Sequence, residues 1–392
     1  MARTLATLTD SLNIRIHDKT GGTVESTDAM DFFNRAIDKL KSKSEFPGTK
    51  QRAEMSLFDG VYEYPIPSGY KSAIDFRELR GGSKQFVKRS SKSFWQEIES
   101  TSDDMYADDN FNEDKLLLVF NAAASGAVTL HTCDSISTNG TWSADTSDSD
   151  ATNVTTDTAE FVEGSGSVNF DISVSQSTND YAAIVNSTLT TAADISDHED
   201  KSTVFVDVYL PDVTYLTSLT LRWGSSSSNY WSQTVTTQYN GINFKAGWNT
   251  IGFAWNGATE TGTGDPNGID YLYFRVTYSS SQTADTDFRI DNIRSILPDK
   301  VTLNYYSTNF VKDADGTYGA EFNDTDDATV LEDHEDVMLL YAATHEALNF
   351  LRMYEEALLS KKEFEELFQD ITNDKPSEKE RESDRYYDMA TY

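Results

Sequence analysis

Residues 203–210 read Thr203-Val204-Phe205-Val206-Asp207-Val208-Tyr209-Leu210. A run so rich in β-branched and aromatic side chains is a strand. Similar runs extend outward from it, at 167–172 before it and at 218–223, 231–237, 248–255, 269–278 and 286–293 after it. Turn residues separate them, at 224–229, at Asn240-Gly241 and at 262–268. Seven or eight such strands in one Ser/Thr-rich block predict a β-sandwich or jelly roll rather than a helical domain.

The block has sharp compositional edges. Between residues 131 and 297 Lys almost disappears, and five of the six Trp are found there. Outside it Leu, Ala, Lys, Glu and Met prevail, which favour helices. Charge is divided in the same way. The whole chain of 392 residues carries a formal charge of −33, yet residues 1–100 hold 16 basic and 14 acidic side chains. Residues 131–297 hold 6 and 21, and residues 298–392 hold 9 and 24. Such asymmetry marks more than one module. The acidity argues against tight wrapping of nucleic acid, but not against DNA passing without sticking. A single Cys excludes an intramolecular disulfide framework and multi-Cys metal clusters. No run of about eighteen apolar residues predicts a membrane span, and the first residues lack the apolar core of a secretory signal.

The flanks read as one interrupted domain. Ser26-Thr27-Asp28 caps a helix over 29–44, with Phe33, Ala36, Ile37 and Leu40 as its apolar stripe. Residues 55–58 and 61–67 form a hairpin about Asp59-Gly60, and 74–80 with 84–88 form another. A short helix starts at 94–98. Residues 116–120 and 128–132 are strands about a turn at 122–126, and 301–307 repeats the Val-Thr-Leu theme of 128–130. The simplest reading is a hairpin interrupted by the sandwich, since insertions are tolerated at surface turns. A long helix covers 332–371, with a break near Ser360; forty residues would span roughly 60 Å if continuous. Residues 374–392 are a polar tail that orders on a partner.

Four phrases occur in order within the block. They are Cys133-Asp134-Ser135, Phe161 to Phe170 around Glu163-Gly164-Ser165-Gly166-Ser167, Gly247-Trp248-Asn249, and Phe288-Arg289-Ile290-Asp291-Asn292-Ile293. Together they resemble the concanavalin-like and carbohydrate-binding-module jelly rolls. That resemblance implies glycan binding through exposed aromatics and a structural calcium near the first and last strands. Asp134, Glu163 and Asp291 are the matching hard oxygen ligands; the alternative is that these carboxylates bond turn backbone without metal. Trp223, Tyr230, Trp231 and Tyr239 are the candidate sugar platform, with core packing as the alternative.

The remainder resembles the head-to-tail adaptor (connector) proteins of tailed bacteriophages, of the tail-tubular-protein-A and gp6-like kind. The matching residues are Asn34-Arg35-Ala36-Ile37, the phrase from Asp59 to Tyr70 with Tyr64-Pro65-Ile66-Pro67, the 74–79 and 301–306 strands, and Leu339-Leu340-Tyr341-Ala342-Ala343. The fold class expected is therefore α+β. Residues 1–130 and 298–373 form a helical adaptor domain with small β-hairpins. The all-β jelly roll, 131–297, interrupts it, and 374–392 is the tail. The resemblance implies a homo-oligomeric ring of about twelve subunits in the virion neck, made in the host cytoplasm. Its partners would be the portal protein and a tail or nozzle protein, with genomic DNA passing through. The sandwich would face outward, toward fibre protein or glycan. Asp324, Asp326 and Asp327, or the acidic stretch 103–109, would give the channel a phosphate-repelling wall. Tyr64, Pro65, Pro67, Tyr70, Tyr386 and Tyr387 are the candidate interface residues. The basic stretch 71–92 would meet an acidic neighbour or remain an exposed hairpin. The alternative to the adaptor is a glycan-binding virion surface protein or a secreted lectin-like protein.

No catalytic set is expected. His334-Glu335 and His345-Glu346 lack the second His of H-E-x-x-H, and the two His lie about 16 Å apart on one helix. No nucleophile elbow, phosphate loop or dinucleotide fingerprint occurs. No cofactor other than the structural calcium is implied.

Overall fold

The computed structural model describes residues 3–20, 24–43, 45–78, 87–88, 106–108, 117–120, 126–147, 149–173 and 180–373. The expected helix at 94–98, most of the 122–126 turn, the tail with Tyr386 and Tyr387, and most of the 103–109 and 79–92 stretches lie outside them.

Two helices come first, α1 (Leu5–Thr20) and α2 (Ser26–Lys43). Six strands follow: β1 (Lys50–Leu57), β2 (Glu63–Tyr64), β3 (Tyr70–Glu78), β4 (Val87–Lys88), β5 (Tyr106–Asp108) and β6 (Leu117–Phe120). The sandwich runs through β7 (Val128–His131), β8 (Trp142–Ala144), β9 (Ala151–Asp157), β10 (Ser167–Ile172), β11 (Tyr181–Asn186) and β12 (Thr203–Leu210). It continues through β13 (Leu216–Ser226), β14 (Asn229–Val235), β15 (Gly247–Ala254), β16 (Thr259–Thr261), β17 (Tyr271–Tyr278) and β18 (Asp285–Ile296). The chain ends in β19 (Asp299–Ser307), β20 (Val311–Lys312), β21 (Tyr318–Gly319), β22 (Ala328–Thr329), α3 (Asp333–Phe350) and α4 (Tyr354–Asn373).

It divides into two compact units. One comprises residues 54–66 and 75–302, the other 1–53, 67–74 and 303–392. The first contains the β-sandwich that the sequence predicts. One sheet has the order β15-β12-β18-β10-β9 with β7 also on β18; the other has the order β16-β14-β13-β17-β11-β8. The pairings are antiparallel. Alternate residues of each strand face inward. Val204, Val206 and Val208 from β12 meet Leu219, Leu221 and Trp223 from β13 and Leu272, Phe274 and Val276 from β17 in one buried cluster.

Three expected hairpins do not form among the described residues; in the one expected over 74–88, β3 joins β19 whereas β4 pairs with β5 in parallel. β2 pairs with β6, whereas β1 pairs with β19. The Asp59-Gly60 turn therefore joins strands of different sheets, with Gly60 at φ +70°. Tyr64 closes that turn: its Oη accepts the Phe58 N–H at 2.7 Å and donates to the Val61 carbonyl at 2.8 Å. Likewise β6 and β7 separate, β6 to β2 and β5, β7 to β18 of the sandwich. β7 thus begins the sandwich at Val128, before the expected boundary at 131. β19, the second Val-Thr-Leu strand, lies between β1 and β3.

The second unit has a helical core. α2 buries Phe33, Ala36, Ile37 and Leu40, the stripe read from the sequence, and Ala29 and Phe32 beside them. α1, which the sequence reading missed, buries Leu5, Leu8, Leu12 and Ile16 at helical spacing. Its first N–H groups donate to the carbonyls of Asp327 and Thr325, at 2.8 and 3.0 Å from Leu5 and Ala6. The C-terminal helix is not a 60 Å rod. It ends at Phe350, where Met353 N–H donates to Leu348 O (2.9 Å) and Arg352 takes φ +61°, a left-handed stop. α4 then folds back on α3. Ser360, the expected break, is buried within α4 and donates to Tyr341 O at 3.2 Å. Among the described residues no helix is long and apolar enough to cross a membrane.

Candidate functional site

Strand alternation builds the site. On β17, Leu272, Phe274 and Val276 enter the core, so Tyr271, Tyr273 and Arg275 point out of the sandwich. On β13, Thr220, Arg222 and Gly224 do the same between Leu219, Leu221 and Trp223. Register then tiles these outer side chains across the sheet. Arg222 pairs with Tyr273 and Ser232, Thr220 with Arg275 and Thr234, and Gly224 with Tyr271 and Tyr230. Tyr181 and Val185 of β11 continue the surface beyond β17.

The tiles interlock. The Arg222 guanidinium lies 4.3 Å above the Tyr273 ring and 4.9 Å from that of Tyr230. Arg275 lies 5.2 Å over Tyr181. Gly224, between Tyr230 and Tyr271 in register, adds no side chain there, and the two rings stand 6.1 Å apart. Its own close fit forbids one: a Cβ would come within 2.3 Å of Asn229 O. Arg275 also donates to Thr220 Oγ1 at 3.3 Å, which shares a 2.8 Å bond with Thr234 Oγ1. Covered in this way, Tyr271 and Tyr273 are each 4% exposed. Burial pushes the Tyr273 phenol up to about 12 and raises that of Tyr271. The buried Nε donors of Arg222 and Arg275 have no hydrogen-bond partner among the described residues.

Of the expected sugar platform, Tyr230 alone belongs to this face. Trp223 and Trp231 are partners across β13 and β14 but point inward, packing on Trp255 with ring centroids at 5.7 and 4.9 Å. Tyr239 is packed among Phe58, Phe205 and Tyr64. The outward set was legible in principle. In Tyr271-Leu272-Tyr273-Phe274-Arg275-Val276 the Tyr and Arg positions alternate with the core positions.

The expected calcium ligands serve a turn. Asp134 Oδ1 accepts Ser165 N–H at 2.5 Å and Ser165 Oγ at 3.1 Å. Asp291 Oδ2 accepts the N–H groups of Val162 and Glu163 at 2.7 and 3.0 Å. Glu163 is exposed. Those two oxygens are engaged by N–H donors, and the three carboxylates do not bring ligand atoms within 4.8 Å of one another, so they do not form a calcium cage. Among the described residues the trio of metal-type ligands within 4.8 Å of one another is Glu332, His334 and Glu335. There Glu335 Oε2 accepts the N–H groups of Glu332 and Gly48 at the start of α3, as a cap does.

Asp291 has a further consequence. Its Oδ1 is buried without a partner, and burial pushes its carboxyl up to about 6. The folded chain thus holds this proton more tightly than the unfolded one, where a carboxyl titrates near 4. Its stabilising contribution is complete below about pH 4 and is lost as pH rises through about 6. His131 acts oppositely: burial lowers its ring to about 4, so its contribution is lost as pH falls from about 6.5 through 4. The variant Asp291→Asn isolates one of the two. Its urea-unfolding free energy, relative to the parent, should rise by on the order of 3 kcal/mol between pH 4 and pH 7. A constant offset across that range would refute the assignment.

The other expected sites are placed as follows. Tyr64 is buried in its own turn and is not an interface residue, while Pro65 is exposed and Pro67 half-buried. The Tyr70 ring lies 5.5 Å from that of Tyr305. Asp327 is buried and accepts the N–H groups of Asn323 and Asp324, so it faces no channel. Asp324 accepts Thr325 N–H, and Asp324 and Asp326 are both exposed.

No family model matches the chain, and no curated protein does. Several solved structures do. A family 30 carbohydrate-binding module of the cellulosomal cellulase Cel9D-Cel44B of Clostridium thermocellum is 9% identical, over 43% of this chain and 96% of that one, with a TM-score of 0.30. An exo-beta-agarase is 13% identical over 44% of this chain and 24% of that one, TM-score 0.30. A structure described for the promiscuous specificity of carbohydrate-binding modules of the beta-sandwich superfamily is 11% identical over 64% and 99%, TM-score 0.28.

Proposed function

We propose that the protein binds glycans through the outer face of the β16-β14-β13-β17-β11-β8 sheet. The observation that carries this reading is the tiled surface of Tyr181, Tyr230, Tyr271 and Tyr273 with Arg222, Arg275 and Thr hydroxyls. The half-exposed Tyr181 and Tyr230 rings offer contact area for sugar C–H groups, the half-exposed guanidiniums and the Thr234 hydroxyl meet sugar oxygens, and the buried Tyr273 ring supports Arg222 from beneath. Affinity electrophoresis in gels containing soluble polysaccharides tests it. At least one polymer should retard the protein, and Tyr230→Ala, at the half-exposed edge of the tiling, should reduce the retardation with the circular-dichroism spectrum unchanged. Equal mobility in every gel would overturn the reading.

A second reading rests on the other unit. Phe350, Tyr354, Leu358 and Leu359 are each more than half exposed where α3 turns into α4. So many large apolar side chains close together are a protein-contact surface. They favour association between copies of this chain, which the proposed adaptor ring would require. Mass photometry distinguishes it: a ring-sized species that falls to monomer in Leu358→Asp supports the reading, and a monomeric parent protein refutes it.

A further inference from the structure

We infer that the ligand of the tyrosine–arginine face is an anionic polysaccharide, gripped at its carboxylate or sulfate groups by Arg222 and Arg275. This rests on the glycan-binding reading and adds the ligand's chemical class.

Residues 131–297 contain four arginines, and they fall into two pairs by environment. On the opposite sheet, Arg289 Nε meets Asp157 at 2.7 Å and Arg294 meets Asp207 at 2.8 Å. Arg222 and Arg275 have no carboxylate within 4.0 Å among the described residues. Acid is not scarce, since the same segment holds 21 acidic side chains against 6 basic ones. The charge of Asp145 reaches Tyr271 and Tyr273. Two guanidiniums without a carboxylate partner among the described residues of so acidic a segment are positioned for an anion from outside.

Their support sharpens this. Each is laid on a tyrosine ring, which fixes the plane of the fork without neutralising it. The same stacking covers ring faces on which a neutral pyranose would otherwise lie. The Nε atoms of both are buried and Arg275 Nη2 donates to Thr220, so what the surface offers is the remaining terminal N–H groups, which match carboxylate and sulfate oxygens. Arg222 and Arg275 sit two residues apart on neighbouring strands, a diagonal of about 7–8 Å. Two separate anionic groups of one chain can therefore be held at once.

Matched polymers test the inference by calorimetry on the full chain. Polygalacturonate is compared with its methyl ester, and a sulfated galactan with its desulfated form; the two arms separate carboxylate from sulfate as the source of charge. The expected result is binding to at least one charged polymer at least about ten-fold tighter than to its neutral partner, weakening as salt rises. Arg222→Gln and Arg275→Gln should each lower that affinity about ten-fold. Should either variant unfold, the comparison on the parent protein still decides. Equal binding of charged and neutral polymers would overturn the anionic class while leaving glycan binding intact. Absence of binding to every polymer tested would remove both.

Discussion

Replacing Trp255 by alanine should destabilise the sandwich by about 3–5 kcal/mol. The residue is 1% exposed and joins the rings of Trp223 and Trp231 at the centre of the core. Its removal leaves a cavity that three β-strands cannot close by small shifts. A domain of this kind has about 5–15 kcal/mol in all, so most of the margin would be lost. One factor trims the cost: the Trp255 Nε1 donor has no partner, so its burial already carries a penalty. Urea unfolding followed by tryptophan fluorescence measures the change. Tyr230→Ala, a half-exposed tile of the outer face, is the control and should cost about 1 kcal/mol or less. Equal losses for both would mean that the core and outer assignments of these aromatics are wrong.

The Glu163-Gly164-Ser165 turn should be nearly as sensitive. Gly164 has φ +73°, and a Cβ there would lie 2.0 Å from Asp134 Oδ1. Alanine incurs the left-handed penalty of about 1–2 kcal/mol. It also drives Asp134 off the Ser165 N–H, a charge-assisted bond worth about 1.5–3 kcal/mol. Because the turn is exposed, water replaces part of that bond, and the expected total is about 2–4 kcal/mol. Gly241 provides the comparison, for it has φ +81° with nothing within 4 Å of a Cβ. Gly241→Ala should show the backbone penalty alone. If the two variants unfold at the same urea concentration, Asp134 does not hold this turn.

The contrast between the two turns shows what local sequence carries. Glu163-Gly164-Ser165 and Asn240-Gly241 both announce a left-handed glycine, yet one is locked by a carboxylate from a distant part of the chain and the other stands free. In the same way, Asp134 and Asp291 read as hard oxygen ligands through a resemblance, but the atoms they meet are backbone N–H groups and the Ser165 hydroxyl. Hard ligand type is a property of the residue; the partner is a property of the fold.

The sequence by itself determined most of the sandwich strands, though not β8, β9, β11 or β16, together with their period of two, the acidity of the block and the stripe of α2. These follow from side-chain shape and alternation over a few residues. Only the tertiary structure decided which strand meets which. β1 and β2, or β6 and β7, are adjacent in sequence but find partners elsewhere, because non-local hydrogen bonds and core burial outweigh a short turn. It also decided which aromatics face out. Trp223, Trp231 and Arg222 lie within one stretch of chain, and register sends the tryptophans to the core and the arginine to the surface. The site read from the tryptophans therefore moved one residue along the strand, to the tyrosines and arginines between them.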